Sequence, residues 1–302
     1  MSDELLGLVV VDKPAGMTSH DVVGVLRRAL GVRRVGHAGT LDPPATGVLL
    51  LGVGRATRLL RFLEATSKRY DGTLVLGTTT STLDATGTVT ASYDMAAVTD
   101  AEVQRAARTL VGDLDQIPPM VSAIHHKGRR LHELAREGVE VERTPRRVHV
   151  GRFDVAELAD GAWSYIVECS PGTYVRSLVD DLGRALGGGA HLTSLRRTGV
   201  GRFSLADAKD LEAIRDGSLA PRELLVPPRS MVEHLGVVTL GATDAAALAR
   251  GSTVHVDAAT QLVGEVAVCD ADGALVAVGV LDGEGELRPV VVIASGTPRD
   301  ED

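Results

Sequence analysis

A carboxylate in a Gly/Pro-dense loop is the first residue in this chain whose setting invites chemistry. Asp42 stands in Gly36-His37-Ala38-Gly39-Thr40-Leu41-Asp42-Pro43-Pro44-Ala45-Thr46-Gly47. The glycines let such a backbone bend sharply and admit a ligand closely, and the prolines make it costly to disorder. The plain alternative is a turn in which Asp42 bonds its own backbone ahead of Pro43. Arg176 is the natural counter-ion. It follows Ser170-Pro171-Gly172-Thr173-Tyr174 at the start of a helical stretch, where its planar fork can take a carboxylate or a phosphate in bidentate fashion. An arginine so placed favours the charged form of an active-site aspartate; standing alone, it is a surface arginine. Tyr70 ends Lys68-Arg69-Tyr70 at the head of an alternating strand, and its ring can either stack on a base or pack half-buried.

Other chemistries find no foothold. Gly52-Val53-Gly54-Arg55 lacks the third glycine and the acidic ribose partner of a dinucleotide loop. No Walker loop, HExxH or GxSxG occurs. His125-His126 has no further metal-ligand spacing, and Asp270-Ala271-Asp272-Gly273 reads as a hairpin turn rather than a calcium loop. No metal and no cofactor is expected. Cys169 and Cys269 are far apart, with no CxxC, which fits a reduced cytoplasm. No apolar run reaches the ~20 residues of a membrane helix, and the N-terminus lacks a basic n-region.

The elements that must position these residues can be read from periodicity. Residues 7–12 form a short buried strand ending in the turn Lys13-Pro14-Ala15-Gly16. Thr18 or Ser19 caps the helix that follows, with Asp21 in its first turn. The Gly-rich loop 36–47 leads into a strand at 48–54 and a helix at 55–65. Strands are expected at 69–76, 87–91 and 163–169, and helices at 100–111 and 174–186. Residues 112–147 are basic, polar and bounded by prolines, with a turn at Lys127-Gly128 and a short helix LHELAREG. Such a segment is either a substrate-facing insertion or an idle surface excursion. Past Pro227-Pro228 comes an acidic, mostly β module with a short helix, a hairpin around Asp272-Gly273 and a strand at 290–293. The fold class is α+β with a mixed or antiparallel sheet: a catalytic domain over 1–232, with an insertion at about 112–147, and a small module over 233–302.

A net charge of −8 looks wrong for a nucleic-acid binder, but the charge is unevenly distributed. Residues 203–302 hold 17 acids and 7 Lys/Arg, whereas 20–70 hold 9 Lys/Arg against 3 acids, and 125–152 hold 8 against 4. Phosphate binding needs local rather than global positive charge.

Five blocks in order resemble the TruB family, the bacterial tRNA pseudouridine-55 synthases. They are Val11-Asp12-Lys13-Pro14-Ala15-Gly16-Met17-Thr18-Ser19-His20; Gly36 through Pro43; Lys68-Arg69-Tyr70; Gln116 through Ile124 with Gly128-Arg129-Arg130; and Gly172 through Arg176 with Gly189 through Arg197. The resemblance spans roughly 5–205. It implies that Asp42 is the catalytic aspartate and Arg176 its partner. It implies further that Tyr70 stacks on the target base, that His37 contacts RNA where the uridine leaves its loop, and that Tyr174 and Leu195 line the uracil pocket. The insertion becomes a thumb that closes on the T-loop, and 233–302 a shortened PUA-type module. His125 stands where many relatives carry lysine, with Lys127 close by. The implied activity is isomerisation of the T-loop uridine of tRNA by base flipping, without cofactor, in a monomer that needs no protein partner; help with tRNA folding can accompany it. The competing expectations are a relative acting on ribosomal or guided RNA, an RNA chaperone without catalysis, and a metabolic enzyme binding small phosphates.

Overall fold

The computed structural model describes residues 5–122, 125–126, 128–139, 141–158, 161–256 and 262–293. Lys127, expected at the turn of the insertion, lies outside them, as do Ala123 and Ile124 at the end of the fourth block.

One mixed sheet carries the larger part of the chain. Its strands run in the order Lys209–Asp210, Gly7–Lys13, Thr46–Val53, Ala190–Val200, Lys68–Leu76, Ala162–Cys169, Arg146–Glu157 and Gly112–Gln116. Val35–Ala38 pairs with Thr46–Val53, and Phe203–Ser204 with Ala190–Val200. Two junctions are parallel, 209–210 on 7–13 and 190–200 on 46–53; the others are antiparallel. This is the mixed α+β sheet that the pattern of short strands predicts.

Successive strand residues point to opposite faces, and Gly7–Lys13 shows what each face is for. Val9 and Val11, with Leu49 and Leu51, pack under the helix Ser19–Leu30 and the short helix Leu211–Arg215. Leu8 and Val10, with Val48 and Leu50, face Phe62, Leu63, Met231 and the C-terminal module. At the other end of the sheet, Leu74, Trp163, Tyr165 and Val167 are covered by the helices Asp100–Thr109 and Val175–Ala185.

The C-terminal module is a five-stranded sheet in the order Gly236–Thr239, Gly264–Cys269, Leu275–Leu281, Glu286–Val292 and Val254–His255. The helix Ala242–Ala249 covers one face. The other contributes Ala267, Cys269, Val278 and Val291 to the core shared with the large sheet. Cations of the large domain line this seam. Arg58 donates to Val292 O at 3.0 Å, Arg61 meets Glu265 at 3.4 Å, and Arg202 pairs with Glu233. Asp270 Oδ1 accepts from the amides of Asp272 and Ala274, so the DADG segment is the hairpin turn it was expected to be.

Several elements differ from the sequence reading. The loop expected over 36–47 begins with a strand, Val35–Ala38. The helix expected at 55–65 is a 3-10 turn, Gly54–Leu59, running into a short α-helix, Leu60–Glu64. Two long strands, Arg146–Glu157 and Ala190–Val200, were not among the strands expected. Ala190–Val200 is polar, and its register shifts at Leu192/Ser194 and Arg197/Gly199 break the alternation that reveals a strand. Because Gly112–Gln116 and Arg146–Glu157 are themselves paired sheet strands, the excursion proper is 117–145.

Candidate active site

The loop that carries Asp42 is braced from beneath. Lys13, at the end of the first strand, is fully buried; its Nζ donates to the carbonyls of Pro14, Met17 and Pro43 at 2.8, 2.7 and 3.3 Å. Gly16 N donates to Pro43 O at 2.8 Å. Thr18 caps the helix Ser19–Leu30 in a capping box closed by Asp21. That cap fixes Ser19, whose buried Oγ accepts from Leu41 N at 2.9 Å and donates to Leu41 O at 3.2 Å. The residue before Asp42 is thus held on both polar atoms. Ala45 N donates to Asp42 O at 3.1 Å, closing a turn over the two prolines and leaving the Asp42 side chain for another partner.

That partner is Arg176. It lies in the first turn of Val175–Ala185, and its Nη2 meets Asp42 Oδ2 at 2.9 Å. The same guanidinium donates to Val121 O at 2.9 Å and Thr82 O at 3.0 Å, and Nη1 lies 3.5 Å from Asp84 Oδ2. Burying a guanidinium is costly unless its donors are met, and here two carbonyls and two carboxylates meet them. The side chain of Arg176 is only 6% exposed, that of Asp42 42%. The arginine is fixed while the carboxylate stays open to a substrate. The turn presenting Thr82 and Asp84 has a cost of its own, since Leu83 takes φ +63°, a left-handed conformation rare for a branched apolar residue.

Five of the six residues singled out in the sequence meet at this place. Asp42, Tyr70, Tyr174, Arg176 and Leu195 line one cleft, floored by Gly39–Leu41. Burial pushes the Tyr70 phenol up, partly offset by the nearby Arg197, so it is neutral at pH 7. Burial also raises Tyr174, against the opposing pull of the nearby Ser122 hydroxyl. His37 sits elsewhere, half-buried on Val35–Ala38 and not lining the cleft. Its Nδ1 is buried with no hydrogen-bond partner among the described residues, and desolvation lowers its pKa, which keeps the ring neutral.

The structure adds residues to which sequence reasoning gave no role. Arg197 is 1% exposed, donates from Nε to Val48 O at 2.7 Å and from Nη2 to Gly39 O at 3.0 Å, and hydrogen-bonds Tyr70. Lys68 borders the cleft, with Nζ on Glu64 O and Thr66 O at 2.9 Å each. Desolvation pulls both Lys13 and Lys68 down to about 8. Arg196 forms a fork with Asp12 at 3.1 and 2.6 Å. Lys13, Ser19, Lys68, Arg196 and Arg197 all lie inside the quoted blocks, so the blocks were the available signal; Asp84 lies outside them. Among the described residues no group of three or more His, Cys, Asp or Glu side chains is arranged to hold a metal.

An arginine-held aspartate lies in an aromatic-lined cleft on a mixed sheet with a small β module, and comparison with known proteins gives the class, the pseudouridine synthases. The chain matches one in "Crystal Structure of a Cbf5-Nop10-Gar1 Complex" with a TM-score of 0.75 and 26% identity, covering 98% of this chain and 86% of that one. One in "Structure of H/ACA RNP bound to a substrate RNA containing 2'-deoxyuridine" matches with 0.73 and 25%, covering 98% and 87%. Residues 27–175 match the TruB family pseudouridylate synthase N-terminal domain, and 176–233 the tRNA pseudouridylate synthase B C-terminal domain. The chain is 47% identical over 295 residues to tRNA pseudouridine synthase B of Mycolicibacterium paratuberculosis, covering 96% of this chain and 98% of that one. It is 57% identical over 215 residues to the protein of the same name from Rhodococcus jostii, covering 70% of each. The chain belongs to the TruB family.

Proposed function

We propose that this protein converts the T-loop uridine of tRNA at position 55 to pseudouridine, with Asp42 as the catalytic carboxylate. The observation that carries this reading is the 2.9 Å pairing of a solvent-reachable Asp42 with a buried Arg176 in a cleft lined by Tyr70, Tyr174 and Leu195. The identity to tRNA pseudouridine synthase B along almost the whole chain supports tRNA as the substrate and weighs against a guided RNA.

The reaction breaks N1–C1′, turns the uracil and rejoins it through C5; N1 gains a hydrogen and C5 loses one. No electrons are gained or lost, so the chemistry asks for no cofactor. The uridine must leave its stack, and a ring with apolar walls is what receives a flipped base. Tyr70 is the stacking surface, and Tyr174 and Leu195 are the walls. His37, outside the cleft, meets the RNA where the uridine has departed. Asp42 can attack C1′, attack C6, or take the C2′ proton to give a glycal; in each case Arg176 sets the direction of its oxygens. Because the Tyr70 phenol is neutral, accepting the C5 proton requires it to pass on its own hydrogen in the same step. Where Asp42 has attacked C1′, it is released as C1′–C5 forms and is the carboxylate in that cleft able to receive it, while N1 takes its hydrogen from solvent.

In this reading residues 1–232 form the catalytic domain, the excursion 117–145 within the segment at about 112–147 acts as a thumb on the T-arm, and 233–302 is a shortened PUA-like module. The protein works as a cytoplasmic monomer without an obligate protein partner. The test is mass-resolved mapping of pseudouridine in unmodified tRNA transcript, incubated without cofactor with wild type and Asp42→Asn. Wild type is expected to convert one T-loop uridine; the variant is expected to bind the RNA comparably and convert none. Conversion by both removes Asp42 from the chemistry, and binding without conversion by either leaves a chaperone.

A further inference from the structure

We infer that Gln116 is a positioning residue, tying the root of the thumb segment to the arginine that orients Asp42. The inference rests on the reading above for its substrate and its reaction. Gln116 ends the strand Gly112–Gln116 and is 3% exposed. Its side-chain amide holds the backbone of Tyr174 on both sides: Nε2 donates to Tyr174 O at 3.1 Å, and Oε1 accepts from Tyr174 N at 2.7 Å. Two hydrogen bonds of opposite sense to one residue reproduce what a neighbouring strand does, and an amide side chain carries the donor and the acceptor for them side by side at one end.

Tyr174 is the residue so held because it is the hinge of the site. It is the N-cap of Val175–Ala185, in extended conformation, and no side chain caps that helix. Its orientation fixes where Arg176, two residues on, aims its guanidinium. The residues after Gln116 grip the same turn. Ile117 O accepts from Ser177 Oγ at 3.3 Å, and Val121 O accepts from Arg176 Nη2 at 2.9 Å. Residues 116–121 therefore hold Tyr174, Arg176 and Ser177 through four hydrogen bonds, and the start of the excursion 117–145 has no position independent of the Asp42–Arg176 pair. A thumb drawn onto RNA moves this root, and Gln116 is the point where that movement reaches the chemistry.

Gln116→Leu keeps the volume and removes both hydrogen bonds. It is expected to lower the single-turnover rate on tRNA on the order of 10–100-fold, as small misplacements of catalytic groups do, while the dissociation constant for the RNA stays near the wild-type value. The decisive comparison is a double-mutant cycle with Arg176→Lys. If Gln116 acts through Arg176, adding Gln116→Leu to Arg176→Lys costs little further rate; a purely structural role adds its full loss in both backgrounds. Should Gln116→Leu not fold, Gln116→Glu, which keeps an acceptor for Tyr174 N, takes its place in the same cycle. Additive losses, or an unchanged rate in the wild-type background, overturn the inference. Failure of the wild-type protein to form pseudouridine instead overturns the functional reading beneath it.

Discussion

Asp42 is open to solvent and Arg176 is not, and most of the behaviour of the site follows from that difference. An arginine with its donors spread over Asp42, Val121 O and Thr82 O, with Asp84 alongside, cannot be replaced by a single ammonium. Arg176→Lys is expected to lose on the order of 10²-fold in kcat with a small change in KM, read by single-turnover and steady-state assays. Lys68 gives a different signature. Its ammonium is buried, with a pKa lowered to about 8, so between about pH 8 and the ordinary lysine range the unfolded chain binds more protons than the folded one. Stability contributed through this group therefore rises with pH across that window. In Lys68→Met the difference in urea midpoint between pH 8 and pH 9.5 should shift downward relative to wild type; an unchanged difference would show that the lysine titrates normally. Asp42, Tyr70 and Arg176 were singled out in the sequence by residue type together with the blocks that carry the family resemblance, and the fold brings all three to one cleft. Lys13, Ser19 and Arg197 were in plain view within the same blocks, yet their partners are backbone carbonyls and amides of distant segments, and which carbonyl lies within reach is settled only by the fold.

Single elements set the precision of the site through close approach. Thr46–Val53 and Ala190–Val200 run parallel with Gly47 opposite Arg197, and a Cβ on Gly47 would lie 2.2 Å from Arg197 O, at φ +101°. Gly47→Ala is expected to rank with the most damaging substitutions, on the order of 4 kcal/mol, and to lower Tm by roughly 10 °C in a thermal melt. Capping chemistry narrowed the start of the helix to Thr18 or Ser19 from Thr-Ser-His-Asp, and the fold makes Thr18 the cap and turns Ser19 onto Leu41. Ala190–Val200, which carries Leu195 and Arg197, escaped because its register shifts break the period of two, so the strand nearest the middle of the chemistry was the least visible in the pattern.

Taken whole, the molecule uses its acidic third as a partner for its basic part. Glu265 and Glu233 answer Arg61 and Arg202, while Ala267, Cys269 and Val278 close the core over Phe62 and Leu63. A change of composition past Pro227-Pro228 is visible in the sequence; the depth of the core shared across it is not, because both of its surfaces are ordinary apolar positions in their own strands. Ending the chain after Glu233 would leave a contiguous apolar face in water, and such a truncation is expected to aggregate rather than to behave as a smaller enzyme, as size-exclusion chromatography would show. RNA affinity should fall at least ~10-fold between 50 and 200 mM salt if exposed cations of the basic part bind phosphates, measured by filter binding.

The first strand has one neighbour close in the chain and one very far from it. Gly7–Lys13 pairs with Thr46–Val53 on one side, but on the other with Lys209–Asp210, while Leu8 exchanges hydrogen bonds with Val226. On a ribosome adding about 5–20 residues per second, that second side stays bare for roughly 10–40 seconds after the strand has emerged. Through that interval a nascent chain exposes the unpaired edge of a Val-rich strand, the kind of surface that recruits other strands. The catalytic half of this protein is thus translated long before it can close, and its yield in a cell depends on the pace of translation and on whatever shelters that edge until residue 226 arrives.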